Sequence, residues 1–282
     1  MARTRCRRSC WRRCCEVGDC LRADASAWAF AVNPYETDKF LHEYLLFHYG
    51  TAEEVLPYAS GPHDALDYAV RCVSECLDTT SLSHESRALD VGCAVGRSTF
   101  ELARHCGEVI GVDYSQRFIE AARTLAERGA APYLRADEGA LTTPLMARVP
   151  EGVTPERVRF EVGDAHALRD GLGVFDVVLA ANLVDRLAQP SRFLAQLPHL
   201  VKACGQLIVT TPCTWLTEYT APEEWLGGVT VSGKPRSTLD GLQSALSPHF
   251  ALTGTRDLPF LIREHARKYQ WSMALATMWR RL

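Results

Sequence analysis

An open α/β fold, a doubly wound and mostly parallel sheet with helices on both faces, follows from three stretches of this 282-residue sequence. The first is Arg87 to Glu101, RALDVGCAVGRSTFE, where a short apolar run enters the turn GCAVG and an amphipathic segment begins after Gly96. The second, EVIGVDYSQRFIEAA from Glu108, is another apolar run, ending on Asp113 about twenty residues after the first motif. The third is the continuation: short apolar runs alternate with helical patterns, the mark of a parallel sheet with right-handed crossovers. Strand, glycine turn, helix and a second strand ending on an acid make one nucleotide-binding half of such a sheet.

Taken in order, residues 1–32 read as a basic, cysteine-rich, disordered tail, and residues 33–282 as one domain. Asn33-Pro34 breaks the chain. YETDKFLHEYLLFHYG then reads as a helix, because Phe40, Tyr44, Phe47 and His48 recur on one face. Pro57 and Gly61-Pro62 mark a loop, and DALDYAVRCVSECL reads as a second amphipathic helix, both helices capping the pocket. Strands are expected near 87–91, 108–113, 157–162, 175–181 and 205–211. Ser115 is placed to cap the helix after the second strand, and Phe118, Ile119, Ala122, Leu125 and Ala126 form its buried stripe. The Pro/Gly-containing stretch from Gly129 to Arg157 is longer than an ordinary connection, so it is either a surface elaboration or part of the pocket rim. TTPCTWLTEYTAPEEWLGG is an irregular substrate-loop candidate, and the C-terminal segment is expected to close the sheet as an antiparallel hairpin.

Gly92 and Gly96 let the backbone approach a ligand closely, and the Asp113 carboxylate suits two ribose hydroxyls. The pattern is D-x-G-x-x-x-G, with Asp90 at the strand end and Ala94 where a dinucleotide fold favours glycine. An acid beside the turn disfavours phosphate and suits a cationic amino-acid headgroup. These residues resemble motif I of class I S-adenosylmethionine (SAM) methyltransferases. The resemblance implies SAM as cofactor and S-adenosylhomocysteine (SAH) as product. It extends to VRFEVGDAHAL and FDVVLAANLVDRL, which fall where that family has its third and fourth strands. By that resemblance the cofactor contacts are Asp90, Gly92, Gly96, Asp113 with Tyr114, Asp164 with Ala165, and Asn182. Asp164 would meet the adenine amino group, and Asn182 would face the transferred methyl.

A narrower resemblance rests on strings that occur together: NPYETDKFLHEYLLFHYG, VRCV, ALDVGCAVGRSTFEL, VGDA, AANLVDRL, TTPCTWLTEYT, WLGG and PFLIREHARKYQW. The chain is similar to the C-terminal methyltransferase domain of ovothiol-biosynthesis enzymes of the OvoA type, which N-methylates the imidazole of 5-thiohistidine. That resemblance implies a small imidazole substrate. It also implies a separate sulfoxide synthase as partner, since the iron-dependent synthase region of that family is not among these 282 residues. Asn182, His265 and Tyr35 are then the catalytic candidates. Tyr35, Lys39, Arg71, Tyr219, Arg263 and Lys268 are the substrate-contact candidates. Trp215, Tyr219 and Trp225 read either as rings that stack on an imidazole or as rings that bury the loop. Open alternatives are another imidazole (free or protein histidine) and a non-catalytic SAM-binding partner of a sulfoxide synthase.

Composition excludes several classes. Net charge is −3, and outside the N-terminus no basic field is large enough to grip nucleic acid. No apolar run approaches the roughly 20 residues that span a bilayer, so a soluble protein without membrane partners is expected. Cysteine usage outside the tail indicates reduced thiols and a cytoplasmic location, with the Arg-rich start leaving organelle targeting open. The tail cysteines lack paired C-x-x-C knuckles, so no metal site is expected. Cys93, inside the glycine turn, reads as a small packing residue.

Overall fold

The computed structural model describes residues 33–282, so the expectations for the tail lie outside the described residues. A 3-10 turn (Pro34–Glu36) leads into α1 (Asp38–Tyr49), whose Thr37 cap accepts the Phe40 N–H. Short α2 (Ala52–Val55) and α3 (Tyr68–Ser74) precede β1 (Arg87–Val91). Then come α4 (Arg97–Leu102), β2 (Glu108–Asp113), α5 (Gln116–Arg128), β3 (Ala130–Glu138), β4 (Leu141–Arg148), β5 (Val158–Val162) and β6 (Phe175–Ala181). After them stand α6 (Pro190–Leu200), β7 (Val201–Thr211), the small pair β8 (Val229–Val231) and β9 (Lys234–Arg236), α7 (Thr238–Leu246), β10 (Phe250–His265) and β11 (Lys268–Arg281).

Seven strands form one sheet in the order β5-β2-β1-β6-β7-β11-β10, with β11 antiparallel to both neighbours. This is the class I methyltransferase arrangement, a doubly wound sheet with a closing antiparallel hairpin. The strands are apolar on both faces, as a sheet covered by helices on both sides requires. Ala88, Val109, Val177, Leu179 and Ile208 join the core under α3, α4 and α5, together with Phe100, Phe118 and Phe160. Their alternates Leu89, Val91, Ile110, Val112, Val178 and Leu207 pack with Phe193, Leu197 and Leu242 of α6 and α7. Ser115 caps α5, accepting the Phe118 N–H at 3.2 Å, and the expected stripe is buried except for the half-buried Ala126.

Two expectations change, and the stretch left open takes a definite form. The helix expected over DALDYAVRCVSECL is broken: a 3-10 turn (His63–Ala65) is followed by Asp67 in the left-handed region at φ 53°, and α3 starts only at Tyr68. Aspartate is among the few residues that tolerate this conformation, and the kink is invisible to periodicity. β7 starts earlier than 205, running straight on from α6 through a bulge that holds Cys204 at φ 61°. The stretch Gly129–Arg157 contains a two-stranded hairpin, β3 with β4, stacked on α1.

The β10–β11 pair does more than close the sheet. Leu275 of β11 pairs with Thr211 at the carboxyl edge, and Lys268 to Ala274 continue past it for roughly 23 Å of strand. This arm reaches the β3–β4 hairpin, where the Ala266 N–H donates to the Asp137 carbonyl at 3.1 Å. It also reaches the loop before α3, where the Tyr58 hydroxyl donates to the Ala266 carbonyl at 2.9 Å. The carboxyl edge of the sheet is therefore walled by α1, the hairpin and the arm.

Candidate active site

At the end of β1 the backbone turns through left-handed residues at Gly92 (φ 76°), Ala94 (φ 48°) and Gly96 (φ 87°). A Cβ on Gly96 would stand 2.6 Å from the Phe160 ring, so both sterics and backbone demand glycine there. Asp113, at the tip of β2, holds the turn from outside: its carboxylate accepts the Ala94 N–H at 2.9 Å and the Ser115 N–H at 2.8 Å. Burial pushes this carboxyl up to about 6. Asp90 is 1 % exposed and does not face a solvent channel. Its Oδ2 accepts the hydroxyls of Ser98 (2.7 Å) and Thr99 (2.8 Å) on α4, and burial pushes it, too, up to about 6.

Asp164 follows β5 and is half-exposed. The Gln189 N–H donates to His166 Nε2 at 3.1 Å, so His166 carries its proton on Nδ1 and donates to Asp164 Oδ1 at 2.8 Å. Oδ2 of Asp164 takes no part in these bonds. Ala165 is buried beside it, while Tyr114 stands 68 % exposed on the outer side of Asp113.

Asn182 ends β6 in the left-handed region at φ 51°, held by a closed ring of bonds. Its N–H donates to Thr210 Oγ1 at 3.0 Å, Thr210 Oγ1 meets Tyr68 Oη at 2.6 Å, and Tyr68 Oη donates to Asn182 Oδ1 at 2.7 Å. With Oδ1 committed, the Nδ2 hydrogens are the edge of this amide left to a ligand. Tyr68 itself is fixed by Phe47 (6.0 Å between ring centres) and Phe260 (5.0 Å). Sequence reading missed Tyr68 as a site residue because it lies more than a hundred positions before Asn182 and looks like one apolar helix residue among several.

Tyr35 is brought to the same edge. It packs against Phe40, Tyr44 and Phe118, and it shares hydrogen bonds with Tyr219 and Arg186. Burial pushes its phenol up to about 12. Arg186, also missed, lies over the Tyr219 ring at 5.0 Å and is tied to the buried Asp185 carboxylate at 3.0 Å. Tyr219 thus lies against Tyr35 and Arg186.

Other candidates are engaged elsewhere. Arg71 donates to the carbonyls of Leu66 (2.8 Å) and Pro259 and pairs with Glu75, so its guanidinium ties α3 to β10. Arg263, 4 % exposed, donates to the Glu54 carbonyl at 2.7 Å and pairs with Asp137 at 3.4 Å, a strut between the arm and the hairpin. Lys39 and Lys268 are exposed and paired with Glu43 (3.7 Å) and Glu264 (2.7 Å). His265 sits in the β10–β11 turn, accepting the Arg267 N–H at 3.3 Å, a full arm's length from the Thr211 level. It is therefore not beside Asn182. Trp215 donates to Thr238 Oγ1 at 2.9 Å and Trp225 to the Thr220 carbonyl at 2.8 Å, so both indole N–H groups are held within the segment after β7.

Comparison with known proteins agrees with this geometry. The methyltransferase domain family matches residues 89–209. A ubiquinone biosynthesis O-methyltransferase of Sinorhizobium medicae is 30 % identical over 125 residues, 44 % of this chain and 40 % of its own length. The corresponding enzyme of Azorhizobium caulinodans is 30 % identical over the same extent. The chain thus spans about two fifths of the curated relatives it matches. Among solved structures, the N-methyltransferase NodS of Bradyrhizobium japonicum in complex with SAH superposes with a TM-score of 0.50 at 13 % identity, over 86 % of this chain and 98 % of NodS. The glycine turn with its left-handed residues and the carboxylates of Asp113 and Asp164 fit a cofactor bearing a ribose and an adenine. Residues 89–209 match a methyltransferase domain, and the chain has the class I SAM-dependent methyltransferase fold.

Proposed function

We propose that this protein is an N-methyltransferase that places the methyl group of SAM on an imidazole nitrogen of 5-thiohistidine, giving ovothiol. The observation that carries the reading is the meeting of the two family-specific strings. Helix α1, which follows YETDK, lies against REHARKYQW on the arm, Glu43 standing in the field of Glu264 and Lys268. Both strings fall outside residues 89–209, so they belong to what distinguishes this chain from a general methyltransferase.

In this reading, Asp113 accepts the ribose hydroxyls, Asp164 Oδ2 accepts from the adenine amino group, and Gly92 and Gly96 admit the backbone-hugging part of the cofactor. Bound SAM supplies an electrophilic methyl on a sulfonium. Asn182 Nδ2 donates to the acceptor ring and holds it in one tautomer, so that the attacking nitrogen keeps its lone pair. Tyr35, Tyr44 and Tyr219 keep water from the edge of the sheet, and reach to about 3 Å in a desolvated pocket is the main contribution required of the chain. The C–S bond that makes the substrate would come from a separate sulfoxide synthase.

The test is mass spectrometry of the purified protein incubated with SAM and 5-thiohistidine, with histidine and a catechol run in parallel. A one-methyl gain on thiohistidine alone supports the reading. Gain on both imidazoles broadens it to a general imidazole methyltransferase. Gain only on the catechol, a hydroxyl acceptor that tests for O-methylation, overturns it.

A further inference from the structure

The outer face of the β3–β4 hairpin carries apolar surface that none of the roles above uses. Its inner face, with Ala131, Tyr133 and Ala147, is buried against α1. The alternate residues point the other way and are exposed: Pro132 opposite Met146, Leu134 opposite Pro144, and Ala136 opposite Thr142. Leu134 is 42 % exposed and Met146 46 %. Scattered apolar residues on a surface are ordinary, but a contiguous row over successive cross-strand pairs marks a contact face. Pro132 and Pro144 remove an N–H donor from each strand, so the hairpin is poorly suited to gain a strand at its edges and has its face to offer.

What the face fits follows from its two ends. The base carries Arg148, opposite Ala130, and the tip carries Glu138, opposite Leu141, about 24 Å away along β4. Both charges are exposed and stand outside every ion pair of the described residues. The face is thus basic and bulky at its base, with Arg148, Met146 and Pro132. It is acidic and slight at its tip, with Ala136, Thr142 and Glu138, and the Leu134–Pro144 pair lies midway. A two-fold axis through that middle pair turns one hairpin end for end over another. Met146 and Pro132 of one copy then lie over Ala136 and Thr142 of the other, and Arg148 over Glu138, each contact occurring twice. The base half also borders an open hollow of about 610 Å³ flanked by His42 of α1. The same rotation brings the other copy's tip, with Leu141 67 % exposed, to that hollow. A face that complements itself in size and in charge under one rotation fits a second copy of this chain.

We propose that the outer face of the β3–β4 hairpin is a homodimer contact, two copies packing face to face and end for end. The face measures about 24 Å by about 10 Å, well short of the roughly 800 Å² per partner of a standard interface, so the dimer is a weak one that dissociates in the micromolar range. The contact involves neither the cofactor nor the methyl acceptor, so it stands or falls separately from the thiohistidine reading.

Sedimentation velocity of the full chain tests it over about 1–200 µM, the range in which so small an interface comes apart. A concentration-dependent passage from monomer to dimer is expected. Leu134→Asp and Met146→Asp each weaken the dimer about tenfold or more, because each change is made on both sides of the axis. Glu138→Arg and Arg148→Glu, each alone, weaken it about fivefold by setting like charges together at both ends. The double variant, Glu138→Arg with Arg148→Glu, recovers the parent's affinity, since both pairs return with their signs exchanged. Far-UV circular dichroism and Tm at a dilution where all the proteins are monomeric stay at the parent's values, which separates a lost contact from a lost fold. A chain that remains monomeric throughout, as one reserved for a different protein partner would be, overturns the proposal. So does a dimer that Leu134→Asp leaves intact, or a double variant no tighter than the two single ones.

Discussion

Tyr68→Phe removes one oxygen from the ring that holds Asn182, and its cost can be worked from the geometry. The Tyr68 side chain is 3 % exposed and Thr210 is fully buried, so water cannot replace the lost partner. The phenol oxygen has contacts at 2.7 Å to Asn182 Oδ1 and 2.6 Å to Thr210 Oγ1. Losing it leaves the Thr210 hydroxyl with fewer partners in a dry site, a cost of about 1–3 kcal/mol. For a domain of this size, about 2 kcal/mol corresponds to a fall of roughly 4–8 °C in Tm. Thr210→Val removes the adjoining hydroxyl at nearly constant shape, while the Asn182 N–H keeps the Thr210 carbonyl at 2.9 Å. The double variant no longer strands either hydroxyl, so its cost should fall short of the sum by about 1 kcal/mol or more. Urea and thermal unfolding of the four proteins measure this directly. Asn182 also loses part of what holds it at positive φ, so methyl transfer is expected to slow by about 10–100-fold while SAH affinity changes little. Costs that add to within about 0.5 kcal/mol, or a Tyr68→Phe protein with the parent's Tm, would refute the closed ring.

Three further outcomes follow. Gly96→Ala forces a Cβ to 2.6 Å from Phe160 at φ 87°, and is expected to cost about 2–5 kcal/mol and to abolish SAH binding, read by denaturation and calorimetry. In the proposed reading the ionised form of Asp113 accepts the ribose hydroxyls, and its carboxyl lies at about 6, so SAH affinity is expected to be flat above that pH and to decline as pH falls through it. Asp113→Asn should bind weakly with no such decline, and a parent profile flat down to pH 5 would count against the role. The same raised value means that the folded chain binds more protons than the unfolded one between about 4 and 6, so this carboxyl alone makes stability fall, not rise, across that window. Arg263→Met breaks the strut to Glu54 and Asp137. With Asp137 partly exposed, about 1–3 kcal/mol is expected, seen as faster amide exchange in the β3–β4 hairpin and the loop before α3 and not in β1 or β6.

The sheet and its cofactor edge were legible in the residues because they are written locally. Apolar runs set β1, β2 and β6, Ser115 sets the start of α5, and glycines stand where the backbone must turn left-handed. Each of these signals fits within a few positions of the chain. The acceptor side was not legible in the same way. Arg71, Arg263, Lys39 and Lys268 have the charge of substrate contacts, but packing turned two of them into struts and paired the others at the surface. His265 looked poised for catalysis until the register of β10 and β11 carried it past the carboxyl edge. Conversely, Tyr68 and Arg186 acquire their roles only because α3 and the loop after β6 are folded against Thr210, Asn182 and Tyr219. Composition and pattern alone determined a doubly wound sheet with a glycine turn after its first strand and acids at Asp113 and Asp164. The tertiary structure decided which polar side chains meet at the end of β6, because that depends on bonds between residues as far apart as Tyr68 and Asn182, and periodicity does not encode them.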